Sequence, residues 1–183
     1  MRLVVLIAAN GTGTNLRAIQ EGIQEGSIKA ELTAIISDAD VTKDSLLPLL
    51  KTHNPDYICL TGWKQIILDE VIKAFPNKIL NLHPGLVPGV VGGEVKNPDD
   101  TLALWNKGLL TTKAIENFLK QKATYAGSSI HFLTLEFDFG PVLGRCFEKI
   151  EQNDTVDSLY ARLKEKENKL YVEVLKKLAD HKI

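Results

Sequence analysis

The stretch LVVLIAANGTGTN, residues 3–15, limits the possible folds more than any other part of the chain. A continuous run of branched apolar residues that gives way to glycines is typical of a strand buried on both faces of a sheet. Helical spacing follows at Leu16, Ile19 and Ile23, and a second apolar run occupies residues 32–37. This order predicts a βαβ unit with parallel strands and a right-handed crossover.

The alternation of apolar runs and helical spacing continues along the chain. It predicts further strands at residues 56–62, 78–82, 126–134 and 142–150, and further helices at residues 43–53, 66–75, about 114–119 and 155–179. Gly140 and Pro141 mark a turn, and Asp154 or Thr155 is the expected N-cap of the last helix. The pattern indicates an α/β fold, a Rossmann-like, mostly parallel open sheet with a C-terminal helix.

Length and composition favour one globular domain over residues 1–183. With 44% apolar residues, a chain of 183 residues can bury about two thirds of its surface. The 22 basic and 23 acidic residues leave a net charge of −1, which does not favour nucleic acid or an anionic membrane as a partner. The first apolar run is followed by NGTGTN rather than by a signal-peptide cleavage site, and no run approaches the roughly 18 residues of a membrane span. We expect a buried first strand in a soluble, cytoplasmic protein.

Neither cysteine belongs to a metal-binding or disulfide pattern. Cys59 and Cys146 lie far apart and beside apolar residues, so free thiols in a reducing cytoplasm are favoured over a disulfide or a metal site. No set of His, Cys and carboxylate residues has metal-ligand spacing, and no Ser or Cys stands at a nucleophile elbow. We therefore expect no bound metal.

The glycine turn, ANGTGTN at residues 9–15, has the composition of an anion site. Its glycines allow backbone N–H groups to face a phosphate, the start of the helix adds partial positive charge, and Thr14 and Asn15 add side-chain donors. Leu16 stands where a dinucleotide fingerprint needs a third glycine, although Asp38 occupies the place of a ribose-binding acid. The phosphate of a mononucleotide-sized ligand, a dinucleotide and a plain tight turn all stay open.

The strand predicted at residues 78–82 carries Asn81 near its end and is followed directly by His83 and Pro84. Since Asn81 and His83 are two positions apart on a strand, both side chains project to the same face. Carboxyl ends of parallel strands meet at one edge of a sheet, so this pair and the glycine turn should share that edge. An amide donor beside an imidazole suits an oxyanion that develops on a carbonyl. The alternative is a strand end with a hydrogen-bonded histidine.

Asp138, in EFDFGP, is the candidate partner of this histidine. If the turn that follows folds over the strand ends, the carboxylate can pair with His83 and raise its pKa, which would keep the imidazole protonated near neutral pH. A solvated loop aspartate is the alternative. We expect His131 to be a packed strand residue, and His53 and His181 to lie at the surface.

A carboxylate interrupts the apolar stripe of the last helix. Glu167 lies between Leu163 and Tyr171 on the side that should face the core. A buried carboxylate needs a partner. Lys164, three residues earlier on the helix, or the sugar hydroxyls of a bound ligand would provide one.

Three stretches together, NLHPGLVP at 81–88, FDFGPV at 137–142 and the glycine turn, resemble the family of formyltransferases that use 10-formyltetrahydrofolate. The similarity extends over nearly the whole chain. The family motif around the catalytic Asn and His reads N-x-H-P-x-L-x-P, and residues 81–88 match it at every fixed position. The family's catalytic Asp shortly precedes a Gly-Pro pair, a position that Asp138 occupies here.

The resemblance implies roles for three groups of residues. Catalysis would rest on Asn81, His83 and Asp138. The substrate phosphate would bind Gly13, Thr14 and Asn15, and the ribose would bind the helix residues Lys164, Glu165, Lys166 and Glu167. The pterin of the folate would lie against Lys64, Gln65, Ile66, Ile67 and Asn81, and against the loop residues Thr134, Leu135, Glu136, Phe137 and Asp138.

The implied reaction transfers a formyl group from the co-substrate 10-formyltetrahydrofolate to the amine of glycinamide ribonucleotide, in purine biosynthesis. The expected partners are small-molecule substrates, with no nucleic acid and no membrane, and the expected state is a monomer or a homodimer. Hydrolysis of formyltetrahydrofolate by a deformylase, formylation of methionyl-tRNA or a nucleotide sugar, and binding without turnover are the alternatives. Deformylases carry an N-terminal regulatory domain and the tRNA enzymes a C-terminal basic domain, neither of which is expected here.

The chain departs from the family pattern in two places. Between Asp38 and residues 54–60 the family has a helix, a strand and a second helix, whereas one helix fits here. The lost strand lies at the sheet edge in the family fold, so the second strand should become an exposed edge, and one folate contact has no counterpart. The segment of residues 89–122 is longer than its counterpart in the family. Its Gly- and Pro-rich part should be a functional or disordered loop, and the extra length should form a lid or an additional helix over the site.

Overall fold

A sheet of six strands organises the chain, which the computed structural model describes over residues 1–183. The strands are β1 (Arg2–Ile7), β2 (Glu31–Ser37), β3 (Tyr57–Thr61), β4 (Ile79–His83), β5 (Tyr125–Phe132) and β6 (Val142–Lys149). The helices are α1 (Thr14–Gln24), α2 (Lys43–His53), α3 (Asp69–Ala74), α4 (Thr111–Lys120) and α5 (Val156–Ala179).

The strand order in the sheet is β2-β1-β3-β4-β5-β6. β1 pairs in parallel with β2 and β3, and β3 pairs in parallel with β4, whereas β5 runs antiparallel to both of its neighbours. The carboxyl ends of the four parallel strands therefore meet at one edge. The predicted α/β class, with a mostly parallel open sheet and a C-terminal helix, is confirmed.

Helices cover both faces of the sheet, and β1 is apolar on both of its faces from Leu3 to Leu6. Leu3 and Val5 pack in one cluster with residues of α1 and α5, while Val4 and Leu6 pack in a second cluster with residues of α2 and α3. Successive side chains of a strand point to opposite faces, so a continuous apolar run fits a strand covered on both sides. β1 is thus the buried strand that the sequence predicts.

β2 lies at the exposed edge of the sheet, as expected from the short segment after Asp38. Its register with β1 shifts between Leu3 and Val4, and Thr33 at this irregularity donates its hydroxyl to the main-chain oxygen of Leu3 at 2.9 Å. An irregular edge strand is a poor template for pairing with another chain.

Several element boundaries differ from the predicted ones. The helix predicted from residue 66 begins at Asp69, and residues 62–67 line a cavity instead. β5 ends at Phe132, two residues early, where the chain turns toward Asp138. α5 is uninterrupted over 24 residues and begins after the N-cap Thr155, whose hydroxyl accepts from the N–H of Ser158.

The segment between β4 and α4 has no helix or strand apart from a single bridge between Lys96 and Leu102. It is nevertheless packed, since Leu86, Val87 and Asn106 are buried. The helix predicted at about residues 114–119 is present as α4, Thr111–Lys120. Residues 105–108, which we call the strap, cross the end of β4.

The two cysteines are free thiols, Cys59 in the core and Cys146 partly buried. Burial raises the pKa of both thiols to about 12, so both stay protonated and unreactive at neutral pH. No helix combines the length and the apolar character that crossing a bilayer requires.

Candidate active site

A cavity of about 540 Å³ opens at the carboxyl edge of the sheet, where β3 and β4 end. Its walls come from residues 62–67 after β3, residues 81–84 at the end of β4, residues 108–113 at the start of α4, and Leu133, Thr134, Phe137 and Asp138 after β5. Ligands of open α/β sheets bind outside the carboxyl ends of the strands. The cavity is therefore the candidate active site.

His83 and Asp138 meet at this cavity. His83 is the last residue of β4 and is 2% exposed, and its Nδ1 lies 3.7 Å from Oδ1 of Asp138. Asp138 adopts a left-handed backbone conformation, with φ of 50°. The other carboxylate oxygen, Oδ2, accepts from the main-chain N–H of Gly108 at 2.7 Å. The expected approach of the loop to the histidine is thus present, and the strap holds the carboxylate in it.

The strap also holds the histidine. Nε2 of His83 lies 2.7 Å from the main-chain oxygen of Trp105, and since a carbonyl only accepts, Nε2 carries a hydrogen. The indole N–H of Trp105 donates to the main-chain oxygen of Asp138 at 3.1 Å. Nδ1 is thus the nitrogen of His83 left for proton exchange. The sequence indicated a functional loop here but gave no sign of which residue contacts His83.

The expectation that Asp138 keeps His83 protonated is wrong for the free protein. Burial lowers the pKa of His83 below 6.5, and the opposing effects of the Asp138 charge and the Trp105 carbonyl do not offset it. Removal of an imidazolium from water outweighs one carboxylate at 3.7 Å. His83 is neutral at pH 7.

Asn81 lines the same cavity, two residues before His83. Its Nδ2 lies 3.2 Å from Nε2 of His131, the residue that faces it across the β4–β5 pair. His131 is fully buried, as expected of a packed strand residue. Its contact with Asn81 was not predicted. The available indication was that β5 carries three polar residues, Ser128, Ser129 and His131, which are all buried and therefore need hydrogen-bond partners.

The glycine turn and α5 form a second polar group at the start of α1. Gly13 is the N-cap of α1 with φ of 68°, and Thr14 is the first helical residue. Asn15 is buried; its Oδ1 accepts from Nζ of Lys164, and its Nδ2 has no hydrogen-bond partner. Nζ of Lys164 also lies 3.2 Å from Glu167 Oε2. These residues leave an unused buried donor beside a helix start.

Glu167 faces inward, as its place in the apolar stripe predicts, and is 2% exposed. Its Oε1 accepts from the hydroxyl of Ser128 at 2.6 Å, a partner that the sequence did not reveal. Burial alone would lower the pKa of Lys164, but Glu167 and Tyr160 reverse the effect and the pKa is raised. Lys164 is therefore protonated at neutral pH, and the expected ion pair between Lys164 and Glu167 is present.

The other two residues of the α5 stretch lie apart from this group. Lys166 turns toward β6, where its Nζ lies 2.7 Å from the main-chain oxygen of Phe147 and 2.9 Å from Oε2 of Glu148. Glu165 is exposed and lines a groove of about 630 Å³ between α1 and α5, which also includes Thr14. Only half of the stretch faces the turn because adjacent helical residues point in different directions.

The residues assigned to the pterin divide in a similar way. Lys64, Gln65, Ile66 and Ile67 all line the 540 Å³ cavity, as do Asn81, Thr134, Phe137 and Asp138. Leu135 and Glu136 do not line it. Glu136 instead forms an ion pair of 2.7 Å with Lys107 of the strap, and Leu135 is exposed to solvent.

Asp38, the possible ribose acid of a dinucleotide site, has a local role. Its Oδ1 accepts from the main-chain N–H of Ala9 at 2.8 Å, and its main-chain oxygen accepts from the amide of Gln65. The carboxylate thus secures the start of the glycine turn. No group of three or more His, Cys, Asp and Glu side chains could hold a metal ion.

The chain is similar in sequence to known formyltransferases. The chain is 27% identical to a chloroplastic phosphoribosylglycinamide formyltransferase of Arabidopsis thaliana over all of its length and 67% of the relative's. Across three such plant relatives it spans about two thirds of their length or slightly less.

Among solved structures, glycinamide ribonucleotide transformylase 1 from Symbiobacterium toebii superposes with a TM-score of 0.81 at 27% identity, over 99% of this chain and 88% of that one. A formyltetrahydrofolate deformylase from Pseudomonas syringae shares the fold, with a TM-score of 0.78 at 14% identity, over 98% of this chain and 61% of that one.

The family model described as formyl transferase matches residues 40–175, which include the ends of β3 and β4, the strap, the Asp138 loop and most of α5. The match covers well over half of the chain and contains the whole cavity around His83. This chain belongs to the formyl transferase family.

Proposed function

We propose that this chain transfers the formyl group of 10-formyltetrahydrofolate to the amine of glycinamide ribonucleotide, a step of purine biosynthesis, in the cytoplasm. The observation that carries the proposal is the convergence of Asn81, His83 and Asp138 on one cavity, with a proton-exchanging nitrogen 3.7 Å from a carboxylate. The names of the Arabidopsis and Symbiobacterium relatives support the same reaction.

10-Formyltetrahydrofolate is the proposed donor because the cavity suits a flat ring that a few polar groups hold in place. Ile66, Leu110 and Phe137 leave 66%, 70% and 58% of their surfaces exposed, and all three line this cavity. Apolar surface that a folded protein leaves exposed around a cavity is typical of a binding site. Lys64 and Gln65 lie beside it and supply polar contacts.

The proposed site for the phosphate and ribose of the acceptor is the group formed by the glycine turn and α5. The first N–H groups of α1 and the free Nδ2 of Asn15 are donors for a phosphate, and the Lys164 ammonium adds positive charge. Glu167 accepts hydrogen bonds, as recognition of sugar hydroxyls requires. Of the four assigned α5 residues, Lys164 and Glu167 are the two that we retain for this role.

The proposed reaction begins with neutral His83 as a base. The amine nitrogen attacks the formyl carbon, a C–N bond forms, and the carbonyl electron pair moves to the oxygen. Nδ1 of His83 takes the proton of the attacking amine, since Trp105 already engages Nε2. The resulting imidazolium lies beside the Asp138 carboxylate, which stabilises it.

Asn81 and His83 then complete the transfer. The amide of Asn81 donates to the oxyanion of the tetrahedral intermediate, where a fixed donor in a water-poor site is most effective. When the oxyanion collapses, the bond between the formyl carbon and folate N10 breaks. The His83 imidazolium returns its proton to that nitrogen, so the enzyme ends the cycle unchanged.

A deformylase would use the same three residues with water as the nucleophile. The acceptor site favours the transferase, because a hydrolase has no need for a buried cation and an unused amide donor beside the glycine turn. The likeness to the Pseudomonas deformylase, at 14% identity, concerns the fold alone.

One assay separates the alternatives. The full chain is supplied with 10-formyltetrahydrofolate, with and without glycinamide ribonucleotide, and the release of tetrahydrofolate is followed. Release that requires the amine supports the proposal. Release without it identifies a deformylase, and binding without release identifies an inert binder. His83→Ala, with folding checked by circular dichroism, should abolish turnover.

A further inference from the structure

Orientation matters for the amide of Asn81, because its nitrogen donates hydrogen bonds while its oxygen only accepts them. β4 and β5 pair so that Asn81 lies opposite His131, and Nδ2 of Asn81 is 3.2 Å from Nε2 of His131. His131 is fully buried and does not line the cavity, so it cannot contact a substrate itself.

The backbone fixes which nitrogen of His131 carries the hydrogen. Nδ1 lies 3.0 Å from the main-chain oxygen of Phe132, which can only accept, so Nδ1 is the donor. Burial lowers the pKa of His131 to about 4, and the ring is neutral at pH 7. Nε2 therefore carries a lone pair alone and requires a donor from Asn81.

We infer that His131 is a positioning residue for formyl transfer: its unprotonated Nε2 holds the amide nitrogen of Asn81 and leaves the second hydrogen of that nitrogen for the oxyanion. A reversed amide would place the Asn81 oxygen against the lone pair of Nε2, two acceptors in a buried site, which is costly. The role in transfer rests on the proposed function, whereas the hydrogen-bond arrangement belongs to the free protein.

Nitrogen-15 NMR of histidine-labelled full chain, at neutral pH and without substrate, tests the arrangement directly. The expected result is a neutral His131 ring protonated at Nδ1. Protonation at Nε2 overturns the inference whether or not the chain transfers formyl groups. A wild-type chain that transfers none would reject the proposed function and leave this measurement to decide the inference.

Two substitutions of His131 test its effect on the reaction. His131→Phe keeps a ring without an acceptor, and His131→Gln keeps an acceptor without the ring. Loss of one oriented oxyanion donor costs about a hundredfold or more in kcat, so a poorly oriented one should cost about tenfold. The Phe variant should therefore lose kcat with both KM values unchanged, and the Gln variant should keep most of it.

The double substitution separates positioning from stability. In an Asn81→Ala background, His131→Phe should change kcat by less than about twofold, because the amide that it orients is gone. Ile130→Ala, which opens the core next to His131, should lower Tm and leave kcat intact. An unchanged kcat in His131→Phe, or an equal drop in both backgrounds, overturns the inference.

Discussion

The imidazole of His83 donates to the main-chain oxygen of Trp105 over 2.7 Å, so a backbone atom orients the proposed catalytic histidine. The same strap donates the N–H of Gly108 to Asp138, on the other side of Nδ1. A peptide group is more rigid than a side chain and costs less entropy to hold in place. The tautomer of His83 and the place of its carboxylate therefore both depend on the path of four loop residues.

Gly85→Ala should displace the strap. A Cβ at this position would lie 1.8 Å from the main-chain oxygen of Trp105, closer than two non-bonded atoms can approach. Movement of that oxygen removes the hydrogen bond that orients His83, and we expect kcat to fall about tenfold or more. Steady-state kinetics of the purified variant measures this.

Gly89→Ala is the matched control, because nothing lies within 4 Å of a Cβ there. It should leave kcat and Tm unchanged. Full activity in Gly85→Ala would show that the strap has no part in orienting the histidine.

The pH dependence of kcat/KM should show a loss of activity on the acid side. His83 must be neutral to accept a proton, and burial lowers its pKa below 6.5. Activity should therefore be level around pH 7 and decline only as the pH falls through this lowered pKa. An enzyme that needs a protonated His83 would instead lose activity as the pH rises through the same range.

Asp138→Asn assigns this acid limb to His83. The Asp138 charge raises the pKa of His83, so its removal should move the limb to lower pH and reduce kcat. Glu70→Gln, at an exposed carboxylate outside the cavity, should leave the limb in place. A limb that ignores Asp138→Asn belongs to another group.

Glu167→Gln should weaken binding of the ribonucleotide and leave the folate site unaffected. The substitution removes a charge that fixes Lys164 next to Asn15, and the Kd for glycinamide ribonucleotide should rise about tenfold, the usual effect of breaking a charged recognition contact. Isothermal titration with each substrate measures this. Glu165→Gln, exposed two residues earlier, is the control. Equal affinities in wild type and Glu167→Gln would place the acceptor elsewhere.

His131 should make the native state sensitive to acid. The pKa of His131 is about 4 in the folded chain and 6.5 in the exposed, unfolded chain. Well above pH 6.5 the ring is therefore neutral in both the folded and the unfolded chain. As the pH falls from 6.5 to about 4, the unfolded chain binds a proton that the folded chain does not, and stability decreases by about 3 kcal/mol.

Urea denaturation of wild type and His131→Phe across this pH range isolates the effect. Carboxylates and His83 titrate in both proteins, so the difference between the two curves reports His131. The variant should lose less stability than the wild type as the pH falls. Parallel curves would show that the buried ring is protonated in the native state.

The sequence predicted the sheet, its carboxyl edge and the residues that line the cavity because each of these depends on local patterns. Apolar runs located β1 and β4, and the polar residues at the end of β4 marked the site. Contacts between distant segments were not accessible in the same way. Nothing local indicates that Trp105 crosses β4 or that Ser128 binds Glu167.

The protonation of His83 was predicted wrongly for a related reason. The presence of Asp138 in the sequence suggests a raised pKa for His83. Burial lowers that pKa and decides the sign of the shift, and the degree of burial depends on how the strap covers the end of β4. The extent of desolvation is a property of the assembled fold.

The pairing of Asn15 with Lys164 joins residues 149 positions apart, and this has a consequence during protein synthesis. β1 and α1 leave the ribosome early, while the core that contains Leu3 still lacks Tyr171 and Val174. Until α5 emerges, the nascent chain therefore exposes one uncovered apolar face, which a chaperone can shield during that time. The proposed acceptor site is therefore complete only after α5 has been synthesised.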